Sequence, residues 1–353
     1  MIYINSRFFS QEITGVQRFA IELSQKLYEQ RDDVVFLAPV NIKYNEVTKR
    51  LNIKTVGKKS GHLWEQYDLP LYLKSIGSPL LINFCNTAPL FYKNKIITLH
   101  DVAYKRFPQS YSFKFRQAYN FIIPRLIASS RAVLTVSQFA KSELKHFFAL
   151  PEERCHVIYN AASSLFHPDI SENDADAAPK YFLAVASQQY HKNFEALISA
   201  FAHLPVQAGF RLKIVGSAHK NYQGVQNIIA SSSLVNNVEF LGRVDDESLS
   251  ELYRRAFAFV FPSFYEGFGI PPIEAQASGC PVIASSAAAM PEILADSVIY
   301  FDPLDRNSLV NALRLSIENQ SQRQRYVEAG YRNAARFSWE NSASRLNRII
   351  DNL

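Results

Sequence analysis

The chain has 353 residues, 48% of them hydrophobic and 20% charged, the composition of a globular protein at a length where one core gives way to two domains. Its net charge of +6 is uneven, with 22 Lys and Arg against 12 Asp and Glu in residues 1–165 and 16 against 20 in the remainder, so the basic half is the candidate to meet something anionic. The start "MIYINSRFF" has no basic lead and apolar core, and no run approaches about 18 apolar residues, which argues against secretion and membrane spanning.

In chain order, the strand candidates of the first half are "MIYIN" (1–5), "VVFLA" (34–38), "PLLINF" (79–84), "KIITLH" (95–100), "AVLTV" (132–136) and "HVIYN" (156–160). Helical spacing fits between them at 15–30, 112–127 and 137–148, with Ser137 as an N-cap whose hydroxyl accepts from an orphan N–H. The acidic, small-residue stretch "DISENDADAAP" (169–179) has no apolar periodicity and reads as a linker. Alternation resumes with "KYFLAVA" (180–186), "FRLKIVG" (210–216), "NVEFLG" (237–242), "FAFVFPS" (257–263), "PVIAS" (281–285) and "SVIYF" (297–301). The expected architecture is α/β, two Rossmann-like doubly wound parallel-sheet domains facing across a cleft. They span 1–168 and 180–336, and a C-terminal helix over 337–353 is free to cross back to the first domain. Cys85, Cys155 and Cys280 fall in no CxxC or Cys/His spacing, so a disulfide framework and a zinc site are unexpected and a reducing cytoplasm is the default.

The densest chemistry lies in "PSFYEGFGIPPIE" (262–274). A strand ends near Ser263, a glycine-punctuated loop follows, and Pro271 or Pro272 opens a helix, where a missing N–H costs nothing. Gly267 and Gly269 suit close backbone approach to a ligand, and the N–H groups at the helix start make an anion site. Glu266 falls in the loop and Glu274 a turn into the helix, on the same open side. On spacing alone, a tight strand-to-helix turn with Glu274 capping its own helix reads nearly as well.

The run 240–303 resembles the donor-binding half of the retaining family 4 glycosyltransferases, and the likeness extends over nearly the whole chain. Their fold is the two-Rossmann-domain GT-B type. By that resemblance Glu266 and the backbone of Gly267, Phe268, Gly269 and Ile270 contact the donor sugar, and Glu274 holds the nucleotide ribose. Hydroxyls donating to carboxylates suit both roles. In "SQQYHKNFEALISAF" (187–201), Lys192 takes the place of the lysine that meets the diphosphate and neutralises the leaving group. Many relatives carry an arginine earlier in that stretch, where this chain has Ser187, Gln188 and Gln189. Arg243 falls where base selection is expected.

"ITLHDVAYKRFP" (97–108) places His100 and Asp101 at the end of a strand candidate. The resemblance sets His100 beside the donor sugar and gives Asp101 the role of orienting it or of binding acceptor. "TGVQRFAIEL" (14–23) begins a helix at Gly15, where the family often has a glycine-rich turn that touches phosphate or acceptor, and Arg18 one turn in faces either ligand or solvent. The absence there of Gly-x-Gly-x-x-Gly argues against a nicotinamide dehydrogenase. The stretch 104–127 mixes Lys105, Arg106, Lys114, Arg116 and Arg125 with many aromatic residues, reading either as an amphipathic core helix with a basic outer face or as an interfacial helix on an anionic membrane. Nucleic acid is not expected, since no recognition motif accompanies the charge.

The expected activity is retaining transfer of a hexose from a nucleotide diphosphate sugar to a glycan or polyprenyl-diphosphate-linked glycan of O-antigen, capsule or exopolysaccharide. No cofactor and no metal are expected, for no Asp-x-Asp occupies a suitable loop. GDP-mannose is the favoured donor, UDP- and dTDP-sugars stay open, and the expected place is the cytoplasm, including the inner face of the plasma membrane. A nucleotide-sugar epimerase or hydrolase of the same architecture and an inactive glycan-binding scaffold are the alternatives.

Overall fold

The computed structural model describes residues 1–43, 48–168, 180–187, 189–204, 209–217 and 237–353. The expected linker 169–179 and Gln188 lie outside the described residues. The chain forms two compact units. The first comprises Met1–Arg106, Tyr111–Asn160 and Ser338–Leu353, and the second Phe107–Ser110 and Ala161–Phe337. The units are thus more interleaved than a division at 1–168 and 180–336.

The first unit holds a seven-stranded parallel sheet of β1 (Ile2–Asn5), β2 (Val34–Ala38), β3 (Ile53–Thr55), β4 (Leu80–Asn83), β5 (Lys95–Thr98), β6 (Ala132–Thr135) and β7 (Cys155–Val157). Their spatial order is β3-β2-β1-β4-β5-β6-β7. The second holds a six-stranded parallel sheet of β8 (Tyr181–Val185), β9 (Arg211–Val215), β10 (Val238–Gly242), β11 (Ala258–Phe261), β12 (Val282–Ser285) and β13 (Ile299–Phe301), in the order β10-β9-β8-β11-β12-β13. Both sheets run outward from their first strand, then resume on its other side with the fourth. That is the doubly wound pattern, whose switch point is the usual ligand position. Strands covered on both faces need continuous apolar runs, and β2, β5, β6, β11 and β12 are buried at every residue.

Helices seal the faces. The Gly15–Gln30 helix buries Phe19, Ala20, Leu23 and Leu27. Trp339–Asp351, last in the chain, packs on it, with Trp339 and Phe19 rings 6.0 Å apart and Asn347 Nδ2 donating to Gln30 Oε1 at 2.9 Å. In the second unit Phe182 stacks on Phe210 at 5.2 Å and meets Phe257 edge-on at 5.6 Å, in a core that includes Phe194, Leu197 and Ile198. Rings meeting edge to face add to the area they bury.

Candidate functional site

In the second sheet the switch point falls between β8 and β11, and the loops that leave their carboxyl ends carry Lys192 and Glu266. The loop after β8 makes a single 3₁₀ turn, Tyr190–Lys192, before the helix Phe194–Phe201. Asn193 links the two with a left-handed backbone at φ 56°, which Asn tolerates better than most side chains. Its buried amide donates to the Pro262 carbonyl at 3.1 Å and so ties this loop to the end of β11.

Lys192 Nζ lies 2.6 Å from Glu266 Oε1, and Ser263 Oγ donates to the same oxygen at 2.8 Å. Ser263 is itself fixed, for its carbonyl accepts from Ser285 Oγ at 2.6 Å. Both donors converge on one carboxylate oxygen, which leaves Oε2 to accept from a ligand hydroxyl. The ion pair keeps an ammonium and a carboxylate in place on side chains only 17% and 13% exposed.

The loop then turns into the helix Ile270–Ala277 through Gly269, at φ 86°. A side chain there would be strained in backbone and would bring a Cβ within 2.7 Å of Met290 Cε and 3.3 Å of the Phe261 ring. Packing and a left-handed turn therefore demand this glycine, where the sequence had suggested room for a ligand. Pro271 and Pro272 occupy the first turn. Having no N–H, they remove two of the four orphan donors of the helix start, leaving the amides of Gly269 and Ile270. Phe268 is buried against Phe337, ring centroids 5.4 Å apart, so only its backbone is offered to a ligand. Glu274 is more enclosed than its expected open position, at 5% exposure, with the Tyr253 hydroxyl 3.4 Å from Oε2. The two acids are thus separated in environment, one at the loop mouth on a lysine and one inside on a tyrosine. Arg243 is exposed just beyond β10, the edge strand, two strands from β8.

The other expected residues belong to the first unit. His100 follows β5 and is 7% exposed. Its Nε2 lies 2.9 Å from the Phe84 carbonyl, which only accepts, so Nε2 carries the hydrogen and Nδ1 is the acceptor atom. Burial pushes its pKa down to about 4, hence the ring is neutral. The Phe19 ring meets it edge-on at 4.9 Å, joining it to the helix that Gly15 begins and that carries Arg18. Gly15 is exposed and Arg18 half-buried. Asp101 Oδ1 accepts from the Ala103 amide at 2.9 Å and caps the short helix Ala103–Arg106.

Sequence reasoning missed a buried polar cluster at the first sheet's own switch point, between β1 and β4. Asn5 Nδ2 donates to Asn83 Oδ1 at 2.9 Å and to Glu65 Oε1 at 2.8 Å, while Arg7 Nε reaches the same glutamate oxygen at 3.2 Å and Arg7 Nη2 donates to Thr87 at 2.9 Å. Burial opposes the charge on Glu65, yet His62, Arg7 and Asn5 together hold its carboxyl below the ordinary value. A signal existed: "MIYIN" and "PLLINF" each carry an Asn where an apolar run ends.

Residues 148–333 match the family model described as Glycosyl transferases group 1, and residues 13–163 match Glycosyltransferase Family 4. The chain belongs to the family 4 glycosyltransferases. This glycosyltransferase is 27% identical to the O-antigen chain mannosyltransferase B of Escherichia coli, over 93% of each chain. It is 30% identical to the O-antigen chain mannosyltransferase RfbU of Salmonella typhimurium, over 85% of this chain and 86% of that one. Among solved structures, Anabaena Alr3699/HepE in complex with UDP-glucose superposes with a TM-score of 0.80 at 18% identity, over 100% of this chain and 99% of that one. The glycosyltransferase has the GT-B fold of that neighbour, two parallel-sheet α/β units. Among its described residues, no helix is long and apolar enough to cross a membrane.

Proposed function

We propose that this glycosyltransferase moves mannose from GDP-mannose to a glycan or polyprenyl-diphosphate-linked glycan of a surface polysaccharide, with retention of anomeric configuration and without a metal ion. The observation that carries the reading is the Lys192–Glu266 pair at the β8/β11 switch point. An ammonium for the diphosphate and a carboxylate for sugar hydroxyls stand there side by side. The mannosyl assignment rests on the two O-antigen mannosyltransferases that the chain matches over most of their length.

In this reading Glu266 accepts from a donor-sugar hydroxyl through Oε2, and Glu274 accepts from the ribose. The backbone of Gly267, Phe268, Gly269 and Ile270 borders the sugar and diphosphate. Lys192 and the two remaining helix amides take up charge as the nucleoside diphosphate departs, a form of electrostatic stabilisation that needs no metal. Arg243 contributes to base selection. Neutral His100 offers Nδ1 as an acceptor beside the reacting sugar, Gly15 borders the donor phosphate or the acceptor, and Asp101 and Arg18 serve the acceptor. Retention follows from departure and attack on one face of the sugar. Peripheral contact with an anionic membrane is supported by the helix Phe113–Ser129, which exposes Phe113 at 66% and Phe121 at 54%, with the Arg125 guanidinium 3.5 Å from the Phe121 ring centroid.

The test supplies GDP-mannose, UDP-glucose and a dTDP-hexose in turn, in EDTA, with a lipid-linked oligosaccharide acceptor, and reads the anomeric coupling of the product by NMR. Transfer from GDP-mannose with α configuration is expected. A strict metal requirement, an inverted product or exclusive use of another donor refutes that part of the reading.

A further inference from the structure

Residues Phe107–Ser110 stand in the sequence between segments of the first unit, yet they belong to the second. What they touch there is the loop pair that carries Lys192 and Glu266. The Phe107 ring stacks on Phe264 at 5.9 Å and 9°, and lies 6.0 Å from Tyr265 and 6.3 Å from His191. Ser110, 6% exposed, meets His191 twice. The His191 backbone N–H donates to Ser110 Oγ at 3.2 Å, and ring Nδ1 lies 2.9 Å from the same oxygen.

His191, 3% exposed, immediately precedes Lys192, and its carbonyl accepts from the Phe264 amide at 2.8 Å. One buried residue therefore joins the loop after β8 to the loop after β11, and Ser110 secures it from a third segment. A hydroxyl oxygen that accepts the backbone N–H still has its own hydrogen to donate. It can give that hydrogen to Nδ1, or use its second lone pair to accept from an Nδ1–H, so the contact holds in either tautomer of the neutral ring. Burial, and secondarily the Lys192 ammonium, lower the His191 pKa to about 3, so the ring is neutral.

Lysine reaches its ligand on a long, rotamer-rich side chain, so the accuracy of its ammonium depends on how firmly the backbone beneath it is held. Both neighbours of Lys192 are anchored through side chains, Asn193 to the Pro262 carbonyl and His191 to Ser110. We propose that Ser110 is a positioning residue of the donor site, acting through His191 to hold Lys192 at the diphosphate. This rests on the reading of Lys192 as the diphosphate contact.

The test is calorimetric binding of GDP, GMP, UDP and UMP to the full chain and to its Ser110→Ala, Ser110→Thr and Lys192→Met variants. Loss of one hydrogen bond predicts that Ser110→Ala weakens the better-bound diphosphate about two- to tenfold. Monophosphate affinity should stay as in the parent, and Ser110→Thr should restore diphosphate binding. Lys192→Met should weaken the diphosphate at least as much. If Lys192→Met weakens the diphosphate and Ser110→Ala does not, the positioning role is wrong while the Lys192 reading stands. If Lys192→Met has no effect, or no diphosphate binds, that reading fails and takes the proposal with it. Equal weakening of monophosphate and diphosphate by Ser110→Ala would indicate a general structural role and also overturn it.

Discussion

Replacing Glu266 by Gln isolates charge from shape. A glutamine keeps the volume and retains an oxygen to accept from Ser263, which lies 2.8 Å from Glu266 Oε1. It removes the negative partner 2.6 Å from Lys192. A hydrogen bond to a charged group contributes about 1.5–3 kcal/mol, or about 10- to 150-fold in a rate or equilibrium. If Glu266 grips the donor sugar in the transition state, kcat at saturating donor should fall by that factor. Binding of the bare nucleoside diphosphate should respond in the opposite direction. In the parent the Lys192 ammonium is shared with Glu266, and in the variant its charge is undivided, so affinity should hold or tighten a few-fold. Stability should fall by less than the about 3–5 kcal/mol typical of breaking a fully buried pair, since both side chains retain some solvent. Initial rates with GDP-mannose and calorimetry with GDP measure the two effects separately. A parallel loss of kcat and GDP affinity would refute the argument, for it would mean that Glu266 acts chiefly by steadying Lys192.

Glu274→Gln should raise the donor KM about tenfold with little change in kcat, because its enclosed carboxylate beside Tyr253 is assigned to the ribose; steady-state kinetics in which kcat carries the loss would contradict this. Gly269→Ala should lower the free energy of unfolding by about 1–3 kcal/mol, from φ 86° and the close Met290 methyl, as read from urea titrations. Equal stability would show that the turn relaxes. His100, with its pKa depressed to about 4, stays neutral where an unfolded histidine takes up a proton near pH 6.5. Its contribution to stability is therefore complete above about pH 6.5 and is lost as pH falls toward 4. His100→Gln, still able to donate to Phe84, should flatten that acid limb of the urea midpoint, and an unchanged slope would exclude His100 as its source.

Strands buried on both faces announced themselves as mainly apolar runs; "VVFLA" became β2, Val34–Ala38, residue for residue. Ser137 caps its helix as expected, accepting from the Ala140 amide at 2.9 Å. β3 escaped because "IKT" is a half-exposed edge with one apolar residue, and the helical stretch around Trp64 escaped because Pro70 interrupts its pattern. Glu266 and Lys192 were each legible from local motif, but the bond between them spans 74 positions. The Asn5–Glu65–Asn83 cluster spans 60 and 78. Such pairings are set by strand order, and no local window contains it. His191 and Ser110 carried no signal at all, since a lone histidine and a lone serine read the same whether buried together or exposed.

The chain passes between its two units at 106/107, 110/111, 160/161 and 337/338. Modularity in this protein is consequently a property of space and not of sequence. A graft that exchanged residues 180–336 for those of a relative would leave the recipient's own Phe107 and Ser110 to pack against foreign partners. A fragment ended at residue 168 would lack Trp339 and the helix that covers Phe19. Altering donor preference by swapping halves therefore calls for transplanting the four-residue loan along with the half it serves, and recombination between relatives faces the same restriction.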